Sequence, residues 1–369
     1  MKLRKLVGMA LAAVMAVSLV ACGSAGTGSS AEGESASVES GADSSAAAAT
    51  DSTGKKRVCF VARASADTFA AWLMDEMKKE AEKYPEIELT CVSGEGDDNK
   101  ENGLLEDCIT KEYDLVIVQS NNNAAQAPYV QKILEAGIPV ITTNPTTHQS
   151  DLDGSDNQNV MEGTGTVDAD PIEQAKVSAE RAVKEVPQNA NVVILNGPSG
   201  NFHADKRREA WTEYFLSKRP DVKVLYEDYA NWNSDEALTL MEAWVQAGTH
   251  IDAIISMNDN MAAGAIEAIR DNKEYVGDDG KAKFLAYGVD GTAQGCLLIK
   301  EGLLTSTALQ SAADLAKKNM EYASKVVKGE LKVTEVKDFV DAPQINAENV
   351  DEYLKIYVEN GELTEADIK

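Results

Sequence analysis

Basic residues are scarce in this chain: 35 Lys and Arg stand against 61 Asp and Glu, a formal net charge of −26. A surface that acidic repels phosphate backbones and anionic headgroups, which argues against nucleic acid as a partner and against membrane binding through a basic patch. Histidine is nearly absent, and His148, His203 and His250 are scattered rather than spaced as metal ligands. The chain has no HExxH, GxSxG, GxGxxG or GK[ST] segment, so the sequence marks of several large enzyme classes are missing. Five cysteines occur without a CxxC pair. Cys59, Cys91, Cys108 and Cys296 read as buried free thiols, although Cys59 and Cys91 fall in expected neighbouring strands and pairing cannot be assigned from sequence. No tandem repeat is evident. A cofactor is not expected, and nothing supplies the base and nucleophile of an enzyme.

Long apolar runs are missing too. The run from Leu6 to Val20 is shorter than the roughly 20 residues a membrane span needs. It follows Lys2, Arg4 and Lys5 and reads as the core of a signal peptide over residues 1–21. Its removal takes three cations from the count, leaving a charge of −29. The run ends in Leu19-Val20-Ala21-Cys22-Gly23, which resembles the lipobox of bacterial lipoproteins. That resemblance implies a diacylglyceryl group on Cys22, an extracytoplasmic location and a membrane contact through the lipid alone. Residues 22–55 carry Ser, Ala, Gly, Thr and Glu with no aromatic side chain. Such a stretch cannot offset its ordering entropy and is expected to be a flexible tether of about 30 Å r.m.s..

From Val58 onward short apolar runs alternate with amphipathic stretches. Strands are expected at 58–62, 87–92, 115–118 and 140–143, with helices at 68–83, 102–111 and 125–136. Gly137-Ile138-Pro139 punctuates the last helix and strand. After a polar interval from Thr146 to Gly165 the alternation restarts, with helices at 171–186, 204–218, 235–247 and 261–270 and strands at 192–195, 223–229, 253–256 and 284–289. A further helix is expected at 313–327, and the acidic C-terminal segment closes the structure. Two such series imply an α/β fold of two doubly wound parallel-sheet lobes. The expected division is 56–168 plus 311–341 for the first lobe and 169–310 plus 342–369 for the second.

Ligands of open α/β sheets bind beyond the carboxyl ends of the strands. The strand exits read Arg63-Ala64-Ser65-Ala66-Asp67-Thr68-Phe69, Thr143-Asn144-Pro145, Asn196-Gly197-Pro198-Ser199-Gly200-Asn201, Trp232-Asn233, Asn258-Asp259-Asn260 and Asp290-Gly291. Amides, carboxylates and guanidinium groups pair with hydroxyls in fixed geometries, and aromatic rings suit the C–H faces of a sugar. The run from Asp151 to Glu162 loosely resembles a calcium loop but has Asp156 where the sharp-turn glycine is required, so no metal is expected.

Met257-Asn258-Asp259-Asn260-Met261-Ala262-Ala263-Gly264-Ala265, Tyr287-Gly288-Val289-Asp290-Gly291-Thr292, Ala204 to Trp211 and Thr307-Ala308-Leu309-Gln310 together resemble type I periplasmic sugar-binding proteins of the ribose- and glucose/galactose-binding group. The resemblance covers nearly the whole body from Val58 to about Val340. It implies two lobes joined by a three-strand hinge, closing on a monosaccharide or cyclic polyol as a monomeric receptor for an ABC transporter permease. It also implies ligand contacts from Asp67, Phe69 and Asn144 in the first lobe and from Arg207, Asn258 and Asp290 in the second. Gln310 falls at the hinge, Trp232 faces Phe69 across the ring, and Asn201 and His203 match a position used by glucose/galactose binders. Three departures bear on the ligand: Ala70 replaces an aromatic, Pro145 a long basic residue, and Arg63 a small one, so Arg63 is itself a candidate contact. These shift the expectation from ribose toward a glucose-, xylose- or inositol-like ligand. A ligand-sensing adaptor for a membrane signalling receptor is the alternative. A repressor of the same fold fits poorly, for want of an N-terminal helix-turn-helix.

Overall fold

The first apolar run becomes β1 (Lys56–Ala62), with Val58, Phe60 and Ala62 on one face of the sheet and Cys59 and Val61 on the other. This and all that follows come from a computed structural model that describes residues 54–369. The signal segment, Cys22 and the tether through residue 53 lie outside the described residues. The chain continues through α1 (Thr68–Ala81), β2 (Ile87–Ser93), α2 (Asp98–Thr110), β3 (Leu115–Val118), α3 (Asn123–Glu135), β4 (Val140–Thr143), the short α4 (Gln149–Asp153) and β5 (Gly165–Ala169). Asp67, Asp97 and Asn122 cap α1, α2 and α3, each accepting a hydrogen bond from a first-turn N–H. The cap at Asp97 is why α2 starts four residues ahead of its expected position.

The second series runs α5 (Pro171–Glu185), β6 (Asn191–Asn196), α6 (Phe202–Trp211), β7 (Lys223–Tyr229), α7 (Ser234–Gln246), β8 (Ala253–Ser256), α8 (Asp259–Ile269), β9 (Leu285–Tyr287), α9 (Ala293–Glu301) and β10 (Ser306–Ala308). A π-helical turn at Thr212–Leu216 prolongs α6. Then come α10 (Ala312–Val327), β11 (Lys337–Val340), β12 (Gln344–Asn346) and α11 (Val350–Glu359).

Two six-stranded sheets result, ordered β2-β1-β3-β4-β5-β11 and β7-β6-β8-β9-β10-β12. All neighbours are parallel except β10 and β12. Because β11 pairs with β5 and β12 with β10, the chain crosses between the sheets three times: after β5, after β10 and after β11. The fold is therefore two parallel-sheet α/β lobes of the type I periplasmic-binding-protein kind. In the first lobe α10 packs beside α1 over Phe60, Leu73 and Met320, while Leu105, Val130 and Ile133 cover the opposite face. Each such side chain contributes about 1.5–3 kcal/mol on burial. Trp72 of α1 packs against the cores of both lobes, its ring edge-on to Tyr357 of α11 at 5.9 Å. Among the described residues all four cysteines are free, and no helix is long and apolar enough to cross a membrane.

Candidate functional site

Parallel strands that end side by side bring their exit loops to one edge of each sheet, and the two edges face each other across a cleft. On the first-lobe side, Asp67 caps α1 through Oδ1, which accepts from Ala70 N at 2.9 Å. Its Oδ2 accepts from Arg63 Nε and Nη2, each at 2.9 Å, in a buried pair. The spare Nη1 of Arg63 donates to Asn144 Oδ1 at 3.0 Å and to the Asn144 carbonyl at 3.2 Å. Gln119, at the exit of β3, donates to the same Oδ1 at 3.1 Å. Arg63, Asp67 and Asn144 thus form one hydrogen-bonded unit.

The second-lobe side is built around Arg207 of α6, which is 2% exposed. Its Nη1 donates to the Met257 carbonyl at 2.7 Å. Nε and Nη2 donate to Gln174 Oε1 at 3.1 and 2.9 Å, and Nη2 also donates to Gln310 Oε1 at 2.9 Å. Asp290 Oδ1 lies 3.7 Å from Nη2 and accepts from Gln310 Nε2 at 3.3 Å. Burial pulls the guanidinium pKa down to about 10, and the same desolvation pushes the Asp290 carboxyl well above its usual range despite Arg207. An acceptor so poorly hydrated gains from any hydroxyl brought against it. Asp259 positions it: its buried Oδ2 accepts from Thr292 N at 2.9 Å, tying α8 to the loop that carries Asp290. Asn258 caps α8 through Oδ1, which accepts from Met261 N at 2.9 Å.

Trp232 joins the two halves. The Arg63 guanidinium carbon lies 5.9 Å from its ring centroid and that of Arg207 lies 5.6 Å away, so the indole contacts a cation from each lobe. Its buried Nε1 has no hydrogen-bond partner. Trp232, Asn144 and Asp290 all have positive φ, of 62°, 40° and 119°. Such backbone costs on the order of 1–3 kcal/mol per residue and clusters where function demands it. A cavity of about 350 Å³ opens beside this set between the lobes, lined by Arg63, Asp67, Asn121, Pro198, Trp232 and Asn233. Glu95 and Glu236 stand at its edge.

Phe69 is a correction to the sequence reading. It has no exposed area and lies in the first-lobe core with Phe60 and Leu73, edge-on to Trp72 at 5.8 Å. Two residues past the Asp67 cap, it faces the inside of α1, so the first-lobe group that meets Trp232 is Arg63. Of the expected contacts only Arg63, Asp67 and Trp232 line the cavity; Asn144, Arg207, Asn258, Asp290 and Gln310 do not, and Asn201 and His203 bridge the cleft. Asn201 caps α6 and donates from Nδ2 to the Asn121 carbonyl at 3.1 Å. His203 Nε2 lies 3.0 Å from Asp168 Oδ1. Sequence reasoning missed Asp168, Gln119 and Gln174. Gln174 had a signal: it is a polar residue on the buried face of α5, between Pro171 and Ala175. The acidic run after Asp151 does not converge. Asp151 accepts from His148 N and Asp153 from Ser155 N, and among the described residues no cluster could hold a metal.

Known proteins are similar to this chain in sequence and fold. A xylitol-binding protein of Mycolicibacterium smegmatis is 28% identical over 270 residues, covering 73% of this chain and 71% of the relative. A ribose import binding protein of Salmonella typhimurium is 24% identical over 286 residues, 78% of this chain and 90% of its own. Among solved structures, an ABC transporter solute-binding protein from Bacillus halodurans with bound myo-inositol superposes with a TM-score of 0.72 at 26% identity, over 84% of this chain and 100% of that one. Residues 58–331, carrying both halves of the cleft, match the periplasmic binding protein domain, and the chain belongs to that family.

Proposed function

We propose that this protein captures a neutral monosaccharide or cyclic polyol between its lobes and delivers it to an ABC importer, without catalysis. The observation that carries the reading is the Arg207–Gln310–Asp290 array facing Trp232 and the Arg63–Asp67 pair across the cleft. It offers fixed donors and acceptors of both signs around an apolar ring face, which is the complement of a hydroxylated ring. The relatives named for ribose, a monosaccharide, and for xylitol, an open-chain polyol, support a neutral polyhydroxy ligand. The departures at Arg63, Ala70 and Pro145 favour a six-membered ring or cyclitol over ribose. Export followed by lipid attachment at Cys22 would hold this receptor at the membrane surface as a monomer.

The test is thermal unfolding and calorimetry with ribose, xylose, glucose, xylitol and myo-inositol, against amino acids and sugar acids as controls. A ligand at 100 times its Kd stabilises the protein by about 2.7 kcal/mol. Stabilisation by a neutral polyol is the expected result; a response confined to amino acids or acidic sugars overturns the reading.

A further inference from the structure

His203 belongs to α6 of the second lobe, and both of its hydrogen-bond partners belong to the first. Asn144 Nδ2 lies 3.4 Å from its Nδ1, and Asp168 Oδ1 lies 3.0 Å from its Nε2. The orientation of the Asn144 amide is pinned, because its Oδ1 already accepts from Arg63 Nη1 and Gln119 Nε2. The group facing His203 is therefore the NH₂, which only donates, and Nδ1 must accept. An imidazolium has no lone pair to offer there. On the other side Asp168 is a carboxylate by its surroundings: it accepts from Thr146 N at 2.6 Å, Thr146 Oγ1 at 2.8 Å and Ala169 N at 2.8 Å. The closed cleft thus specifies one form of this residue, the neutral tautomer with its proton on Nε2.

We propose that His203 is a proton-gated latch between the lobes: closure requires the neutral imidazole, so acidification holds the cleft open and releases ligand. This regulation rests on the binding reading above. Burial is the largest influence on His203 and disfavours the imidazolium, while the Asp168 carboxylate from β5 is the strongest charged neighbour and opposes it. Arg63 from the β1 exit and Arg207 on the same helix as His203 also disfavour a further cation. On the remaining side Phe202 separates it from His148, whose own neighbour is Asp151. Desolvation and the cationic pair together outweigh Asp168, so the closed-state imidazole titrates below its ordinary value. When the lobes part, both hydrogen bonds break and the ring returns to water, where a histidine titrates near 6.5. The pKa is higher in the open form, so closure expels a proton. Affinity is full above the open-state value and falls up to tenfold per pH unit below it.

Two measurements test this separately from the nature of the ligand. The sequence holds three histidines, so side-chain NMR of labelled protein follows each one, with His203→Gln supplying the assignment. Asn121 and Asn201 touch across the cleft. The Asn121→Cys/Asn201→Cys variant, bridged by a short bis-maleimide, traps closure without ligand. In the bridged protein His203 should titrate at least one pH unit lower than in the unbridged protein and show the Nε2–H tautomer. Equal titration in both, or an Nδ1–H tautomer when bridged, overturns the latch. The second measurement is calorimetry with xylitol and myo-inositol at pH 7.5 and 5.5. The parent should weaken about tenfold at pH 5.5. His203→Gln, which can donate to Asp168 and accept from Asn144, should be flat over that range. A parent as flat as His203→Gln also overturns the latch. Absence of binding at either pH removes the polyol reading and leaves the NMR result to decide the latch.

Discussion

Gly197 and Trp232 are in contact across the exits of β6 and β7: a Cβ at position 197 would come 2.4 Å from the indole ring. The glycine is what lets the ring lie flat at the cleft wall, between the Arg63 and Arg207 guanidinium groups. Gly197→Ala is expected to displace the indole and weaken polyol binding by about 2 kcal/mol, a loss of hot-spot size. Trp232→Phe should keep much of the affinity and lose most of the ligand-induced tryptophan fluorescence change. Titrations of both variants by fluorescence and calorimetry check this; parental affinity in Gly197→Ala would show that the ring position is irrelevant.

Arg207 and Asp290 hold each other's environment through Gln310. Removing either leaves buried polar partners unmatched, so Arg207→Ala and Asp290→Ala should each cost about 2 kcal/mol or more in binding. The double variant should cost less than the sum, because the first loss already breaks the shared array. A double-mutant cycle by calorimetry gives the coupling, and strict additivity would mean the two act independently.

Glu101 lies fully buried behind the cleft, its Oε2 accepting from Asn121 N at 3.1 Å and its Oε1 unpartnered. Burial pushes its carboxyl up to about 8. The folded-state value exceeds the unfolded one, near 4.3, so folding takes up a proton. The corresponding stability is complete below the unfolded value and is lost as pH rises through about 8. Glu101→Gln mimics the protonated acid and should be nearly neutral at pH 5. At pH 9 it should be more stable than the parent by about 2 kcal/mol or more. Urea denaturation at the two pH values measures this; an equal difference at both would place the effect outside Glu101 ionisation.

Cys22→Ala should abolish lipid attachment and release the protein from the membrane fraction, while the soluble body binds its ligand unchanged. Metabolic labelling with a fatty acid and fractionation decide this. Membrane retention with unaltered mobility would refute the lipobox reading.

Most strands were legible because they are short apolar runs: Val58-Cys59-Phe60-Val61 and Leu115-Val116-Ile117-Val118 leave little choice. β5 was not, since Gly165-Thr166-Val167-Asp168-Ala169 looks like loop composition. It is nevertheless wholly buried, with Thr166 Oγ1 donating to the Thr142 carbonyl and Thr143 Oγ1 to that of Val167. Missing that strand also hid Asp168, whose importance comes from a partner 35 positions away. β10 escaped for the same reason, as Ser306-Thr307-Ala308 has no apolar pattern. Arg207 and Asp290 do meet, through Gln310, although only Asp290 sits at a strand exit and Arg207 reaches it from α6. Phe69 did not join them. Residue type and position near an exit were right, but the side to which a helix turns its second residue depends on packing that a one-dimensional pattern does not contain.

The three passages of the chain between the sheets also set the order in which the molecule can be completed. β11 and α10 belong to the first lobe yet follow the whole second series in sequence. A polypeptide emerging amino end first therefore presents β5 as a bare sheet edge, with the α1 face of that lobe lacking α10, until the second series has been delivered. Neither half is a contiguous piece that could be severed and expressed alone. The first lobe is finished only when β11 arrives, and the second only after that, when β12 and α11 follow.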